Sequence, residues 1–111
     1  MDQRFGSIVV DIAKLRDYCL SDTHPRGRHK ARLFRSSLGL TASDADLLQR
    51  TLADAARDRA DALRPSDADE YGQRYVLNFE MTTDAGKATI RSAWIVQTGE
   101  DVLRFITCYV Q

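Results

Sequence analysis

Cysteine and histidine are scarce in this chain of 111 residues, net charge is absent, and no apolar run is long. Two cysteines, Cys19 and Cys108, are too few and too distant in sequence for a disulfide framework or a closed metal site, so both are expected as reduced, buried thiols placed apart. His24 and His29, even with Asp22, match no ligand set, and no metal is expected. Without a G-x-G-x-x-G or P-loop pattern, no nucleotide cofactor is expected either. The longest apolar runs, such as SIVVDIA and AWIV, fall far short of the roughly 20 residues that span a membrane. The start MDQRFGS lacks a signal-peptide layout, so a cytoplasmic chain with no membrane partner is expected.

What is present reads as one domain over 1–111, mainly helical through residue 70 and sheet from 71 to 111. The zero net charge hides an asymmetry. Residues 1–40 carry eight Lys/Arg against four Asp/Glu, residues 41–70 four against eight, and residues 71–111 four against four. Such blocks either neutralise one another or hold a positive field towards an anion. Between His24 and Arg35 lie both histidines and five of the sixteen Lys and Arg residues.

The hydrophobic period places that segment. RFGSIVVDIAKLRDYCL opens with a β-branched run, Ile8 to Val10, and changes to helical spacing at Ile12, Leu15 and Cys19 or Leu20, which predicts a strand or extended arm and then a short helix. Pro25 and Gly27 make a turn, and from Arg28 the positions Ala31, Phe34 and Leu38 mark a helix stopped by Gly39. The basic residues therefore occupy the first turn of a helix, where the dipole disfavours cations and favours an anionic ligand. Ala45, Leu48, Leu52, Ala55, Ala56 and Leu63 predict an amphipathic helix of about six turns, capped by Thr41 or Ser43 and ended by Pro65, with PSDADE a polar linker.

From Tyr71 the period becomes 2. YGQRYVLNFEM, KATIRSAWIVQ and VLRFITCYV read as strands joined at TDAG and TGED. Placing Asp84 opposite Lys87 puts Leu77 across from Trp94, Phe79 from Ser92 and Glu80 from Arg91; placing Thr98 opposite Asp101 puts Trp94 across from Phe105 and Ser92 from Thr107. The large aromatics then share one face. The other face collects Arg74, Val76, Asn78, Glu80, Arg91, Ile95, Arg104, Ile106 and Cys108. The expected fold is α+β: N-terminal helices packed on the aromatic face of a C-terminal three-stranded antiparallel meander, with the N-terminal arm available as a fourth strand or as cover for the outer face.

KLRDYCLSDTHPRGRHKARLFRSSLGL, YGQRYVLNFEM, SAWIV and LRFITCYV together resemble a bacterial family of unknown function, found free-standing and as C-terminal tips of polymorphic-toxin or phage-associated proteins. His24, Pro25, Gly27, Lys30, Ala31, Trp94, Thr107 and Tyr109 carry the resemblance. The layout of helices followed by a meander is similar to that of barnase and RelE-type ribonuclease toxins. It implies a metal-independent endoribonuclease acting on RNA, with catalytic residues on the open face of the sheet and its margins. His24 and Lys30 would move protons and stabilise a phosphorane, and Arg91 would hold a phosphate unless Glu80 pairs with it. Arg28, His29, Arg74, Arg104, Thr107 and Tyr109 are the expected substrate contacts. The alternative is a non-catalytic module, immunity-like or antitoxin-like, whose segment 24–35 docks on an acidic protein surface; the partners expected are RNA, a cognate immunity protein or another protein. A structural or dimerisation role through the outer edge of the meander is a third reading.

Overall fold

The computed structural model describes residues 5–111; residues 1–4, including Arg4 at the start of the expected arm, lie outside it. Its elements are β1 (Ser7–Val9), a helical segment α1 (Ile12–Lys14) continued by a π-helical turn (Leu15–Cys19), α2 (Arg28–Leu38), α3 (Ala45–Asp58), β2 (Arg64–Asp69), β3 (Gly72–Thr83), β4 (Gly86–Gln97) and β5 (Val102–Val110). Short 3-10 turns, Ala42–Asp44 and Ala60–Ala62, flank α3. The strands form a five-stranded sheet ordered β1-β5-β4-β3-β2, in which β1 lies parallel to β5 and the other neighbours are antiparallel.

The mixed α+β architecture and the aromatic core face agree with the sequence pattern, whereas the strand count does not. PSDADE, expected as a linker, belongs to edge strand β2; every residue of β2 is exposed, so no alternation of apolar side chains announced it. Pro65 is compatible with this edge, and a bulge between Pro65 and Ala68 breaks the pairing with β3. The N-terminal arm is the other addition. It extends the sheet at β5 and leaves the outer face uncovered, while Gln49 ties it to α3 by donating from Nε2 to the Val10 carbonyl at 2.7 Å. The acidic helix is shorter than the six turns expected, because α3 ends at Asp58 and only a 3-10 turn follows.

One side of the sheet builds the core. Leu77, Phe79, Ile90, Trp94, Leu103 and Phe105 join Leu15, Phe34, Leu38, Leu48 and Leu52 in a single buried cluster. Trp94 is fully buried and meets Phe105 edge-on, with ring centroids 5.4 Å apart. Its indole N–H donates to the buried Ser92 hydroxyl at 2.9 Å, and that hydroxyl donates to the Leu77 carbonyl at 2.7 Å, so the polar atoms under the aromatics are satisfied.

Two register details differ from expectation and both matter for the site. The β3–β4 hairpin is shifted by two residues, pairing Tyr75 with Trp94, Leu77 with Ser92 and Asn78 with Arg91. An even shift keeps every side chain on its expected face and changes only its neighbour. Between β4 and β5, Trp94 faces Phe105 as expected, but Ala93 faces Thr107, so Ile106 is the extra residue of a β-bulge. Beyond it Ser92 faces Cys108, Arg91 faces Tyr109 and Ile90 faces Val110. Cys108 is therefore turned into the core, correcting its expected place on the outer face.

Candidate active site

Gly27 fixes the start of α2. A Cβ there would run into the backbone carbonyl of Tyr18, so the turn carrying His24 and Pro25 lies directly on the π-helical turn. The His24 ring shapes the same turn: its Nδ1 accepts the backbone N–H groups of Arg26 and Gly27, each at 3.0 Å, while the His24 backbone N–H donates to Ser21 Oγ at 3.2 Å. At the other end, Gly39 takes a left-handed conformation (φ 67°), and Thr83 donates to the Leu38 carbonyl at 2.8 Å. Both ends of α2 are thus held, which fixes where Lys30 points.

Lys30 projects to the margin of the sheet. Its amine lies 5.1 Å from the centre of the Tyr18 ring and 5.6 Å from that of Tyr109, and donates to Thr107 Oγ1 at 3.3 Å. Two aromatic faces hold the ammonium by cation–π attraction. Among the described residues no carboxylate lies within 4.0 Å of it. The His24 ring packs edge-on against Tyr18, centroids 4.7 Å apart, so imidazole and ammonium each contact the same phenol ring. A cavity of about 250 Å³ opens beside them, lined by His29, Lys30, Leu33, Tyr109 and Val110.

Beneath the amine lie both thiols. Cys19 Sγ is 3.6 Å from Thr107 Oγ1, and the Cys108 thiol hydrogen-bonds to it, so the two cysteines expected apart are neighbours, both free and buried. The bulge at Ile106 brings this about by turning Cys108 inward. Cys19 is lowered to about 6, chiefly by the Cys108 thiol, against the opposing effect of burial; the Cys108 and Thr107 donors and the Lys30 charge add to the lowering. Cys108 is raised well above the usual thiol range, because it donates to Cys19 and is buried.

The other sequence candidates divide by location. Arg74 is held by Asp67 and Asp69 at 3.3 and 3.0 Å, and Arg104 by Glu100 at 3.3 Å, so neither is brought to Lys30. Arg28 lies on the far flank of α2, where it lines a cleft of about 300 Å³ with Leu20, Asp22, Arg32, Arg35 and Thr41. Arg91 is not paired with Glu80, which instead approaches Lys87 at 3.8 Å; the two-residue register shift puts Asn78 opposite Arg91. It stands across from Tyr109 but points into a separate outer-face cavity, so no one cavity gathers His24, Lys30 and Arg91.

Proton transfer by His24 also needs correction. With Nδ1 committed to two backbone donors, the neutral ring carries its proton on Nε2 and presents a hydrogen-bond donor rather than a free base. Sequence reasoning passed over Tyr18 and Cys19. The available signal was Tyr18 itself, the one aromatic of residues 12–20, lying off the apolar stripe of Ile12, Leu15 and Cys19. Among the described residues no three His, Cys, Asp or Glu side chains cluster as a metal site requires.

A solved structure titled as a contact-dependent growth inhibition toxin and immunity protein complex from Klebsiella pneumoniae 342 contains a chain that superposes with a TM-score of 0.67 and 18% sequence identity, covering 93% of this chain and 99% of that one. At that identity the likeness is one of fold. No curated protein matches. By sequence, the chain belongs to DUF6883, a domain of unknown function, whose family model matches residues 3–111.

Proposed function

We propose that the Lys30 cluster is the catalytic centre of a metal-independent endoribonuclease of the toxin-tip type. One observation carries the reading: an ammonium without a carboxylate partner is held between Tyr18 and Tyr109, bonds the Thr107 hydroxyl and lines a cavity, while the His24 ring packs on the same Tyr18. Such a site favours the charge that develops on a phosphorane. The 2′-oxygen bonds to phosphorus and loses its proton to solvent water, the bond from phosphorus to the 5′-oxygen breaks, and the leaving oxygen takes a proton from the Lys30 ammonium. The product ends in a 2′,3′-cyclic phosphate. His24 Nε2–H donates to a non-bridging oxygen, and the register leaves Arg91 free to hold a neighbouring phosphate. A structural neighbour whose title names a toxin and an immunity protein supports this setting. The test is cleavage of single-stranded RNA in EDTA by the parent and by Lys30→Met.

A second reading rests on the opposite flank of α2. Arg28, Arg32 and Arg35 line one cleft over Leu20, Ala31 and Leu40, and among the described residues no carboxylate lies within 4.0 Å of their guanidiniums. An acidic protein partner would fit there without covering Lys30, as in an immunity-like or antitoxin-like module. If RNA stays intact while a triple Arg28, Arg32 and Arg35 to Gln variant loses a protein partner that the parent holds, this reading replaces the first.

A further inference from the structure

Tyr109, Arg91 and Asn78 stand directly opposite one another on β5, β4 and β3, forming one row across the outer face of the sheet. Cross-strand partners share a face, and two strand spacings cover about 10 Å. One end of the row is the ring that packs on Lys30. The other end opens into a cavity of about 370 Å³ lined by Ala62, Arg64, Pro65, Ser66, Val76, Asn78 and Arg91. No Asp or Glu lines it.

We infer that this cavity is a nucleotide subsite of single-stranded RNA, in which Arg91 and Arg64 take phosphate oxygens and the Asn78 amide reads the edge of a base. Three features select that ligand. Arg91 is half-buried, and no carboxylate of the described residues lies within 4.0 Å of it, so its charge is available to an anion. Asn78 offers a donor and an acceptor in one plane, and no side chain or backbone group of the described residues bonds its amide. Ala62, Pro65 and Val76 give an apolar wall for a base, and the bulge in β2 sets Ser66 at its rim. The row is short enough for adjoining nucleotides of one strand to bridge it from Lys30. The inference rests on the ribonuclease reading and gives it a specificity-determining residue, Asn78.

The test is fluorescence anisotropy with labelled oligo(U), oligo(A) and oligo(C) of eight nucleotides, titrated with salt, using the Lys30→Met background so that the probes survive. Arg91→Gln is expected to weaken all three alike and to reduce the salt slope by about 0.7. Asn78→Ala, at an exposed position and melting as the parent does, is expected to leave that slope unchanged and to cut the preference for the favoured oligomer at least fivefold. Unchanged affinity, slope and preference in both variants would overturn the subsite, and cleavage by the Lys30-intact parent would then leave the ribonuclease reading standing. Conversely, Asn78-dependent base preference in a chain that cleaves nothing would uphold the subsite and remove the catalytic reading. If polyglutamate binds more tightly than any oligomer and displaces them in proportion, the cavity serves an acidic protein and the inference fails.

Discussion

At the residue scale, the roles proposed for His24 and Lys30 separate stability from chemistry. His24 Nδ1 holds two backbone N–H groups of the turn, so His24→Ala should lower stability by about 1–2 kcal/mol in denaturant melts, as loss of a cap does. His24→Asn, whose side-chain oxygen can accept those N–H groups, should recover most of that loss and none of the Nε2–H donor. Lys30→Met should cost under about 1 kcal/mol, since its bonds are one hydroxyl contact and two cation–π contacts. Cys19 adds a pH signature. Its thiol ionises near 6 in the folded chain and near about 8.5 when unfolded, so the unfolded state binds more protons across that window. Stability should therefore rise with pH from about 6 to about 8.5, and be lost as pH falls back through the native value. Cys19→Ser should flatten that rise; an unaltered pH profile would refute the thiolate. The sequence pattern singled out His24 and Lys30 as candidates because their residue types are chemically explicit. The pairing of Cys19 with Cys108 was not legible, because it depends on one extra residue in β5, and nothing in FITCYV marks Ile106 as a bulge.

At the scale of elements, α2 is the positioning device. Its apolar stripe of Ala31, Phe34 and Leu38 is buried, which puts Lys30 on one flank and Arg28, Arg32 and Arg35 on the other. Gly27→Ala should destabilise the fold by more than a helix-propensity change of about 1 kcal/mol, because the added methyl meets the Tyr18 carbonyl, and should reduce cleavage by moving the turn off Tyr18. Trp94→Ala should cost about 3–5 kcal/mol, given complete burial among the sheet and helix side chains; a loss below about 1 kcal/mol would contradict the assigned core face. The helices and the long strands were readable because burial imposes their periods. Strand β2 was not, since an edge exposed on both faces has no apolar alternation to read. The hairpin register was displaced by two residues for a related reason: the pattern fixes the face of a side chain, while the turn fixes its partner.

At the scale of the molecule, the charge blocks acquire places. The basic block forms the turn and α2, and the acidic block forms α3 and β2, where Asp67 and Asp69 neutralise Arg74. Lys30, the arginine flank of α2 and Arg91 on the sheet are among the described cations that stay without carboxylate partners. No helix of the described residues is long and apolar enough to cross a membrane. A neutral chain can thus offer local cationic surfaces, which is why overall composition did not point to the candidate site. The most direct test of the central claim is the rate of single-stranded RNA cleavage in EDTA, measured for the parent and Lys30→Met at matched folding. The parent should yield fragments ending in 2′,3′-cyclic phosphate, and Lys30→Met should be at least about 100-fold slower while melting within a few degrees of the parent. Intact RNA with the parent, or equal cleavage by the two proteins, would contradict the account.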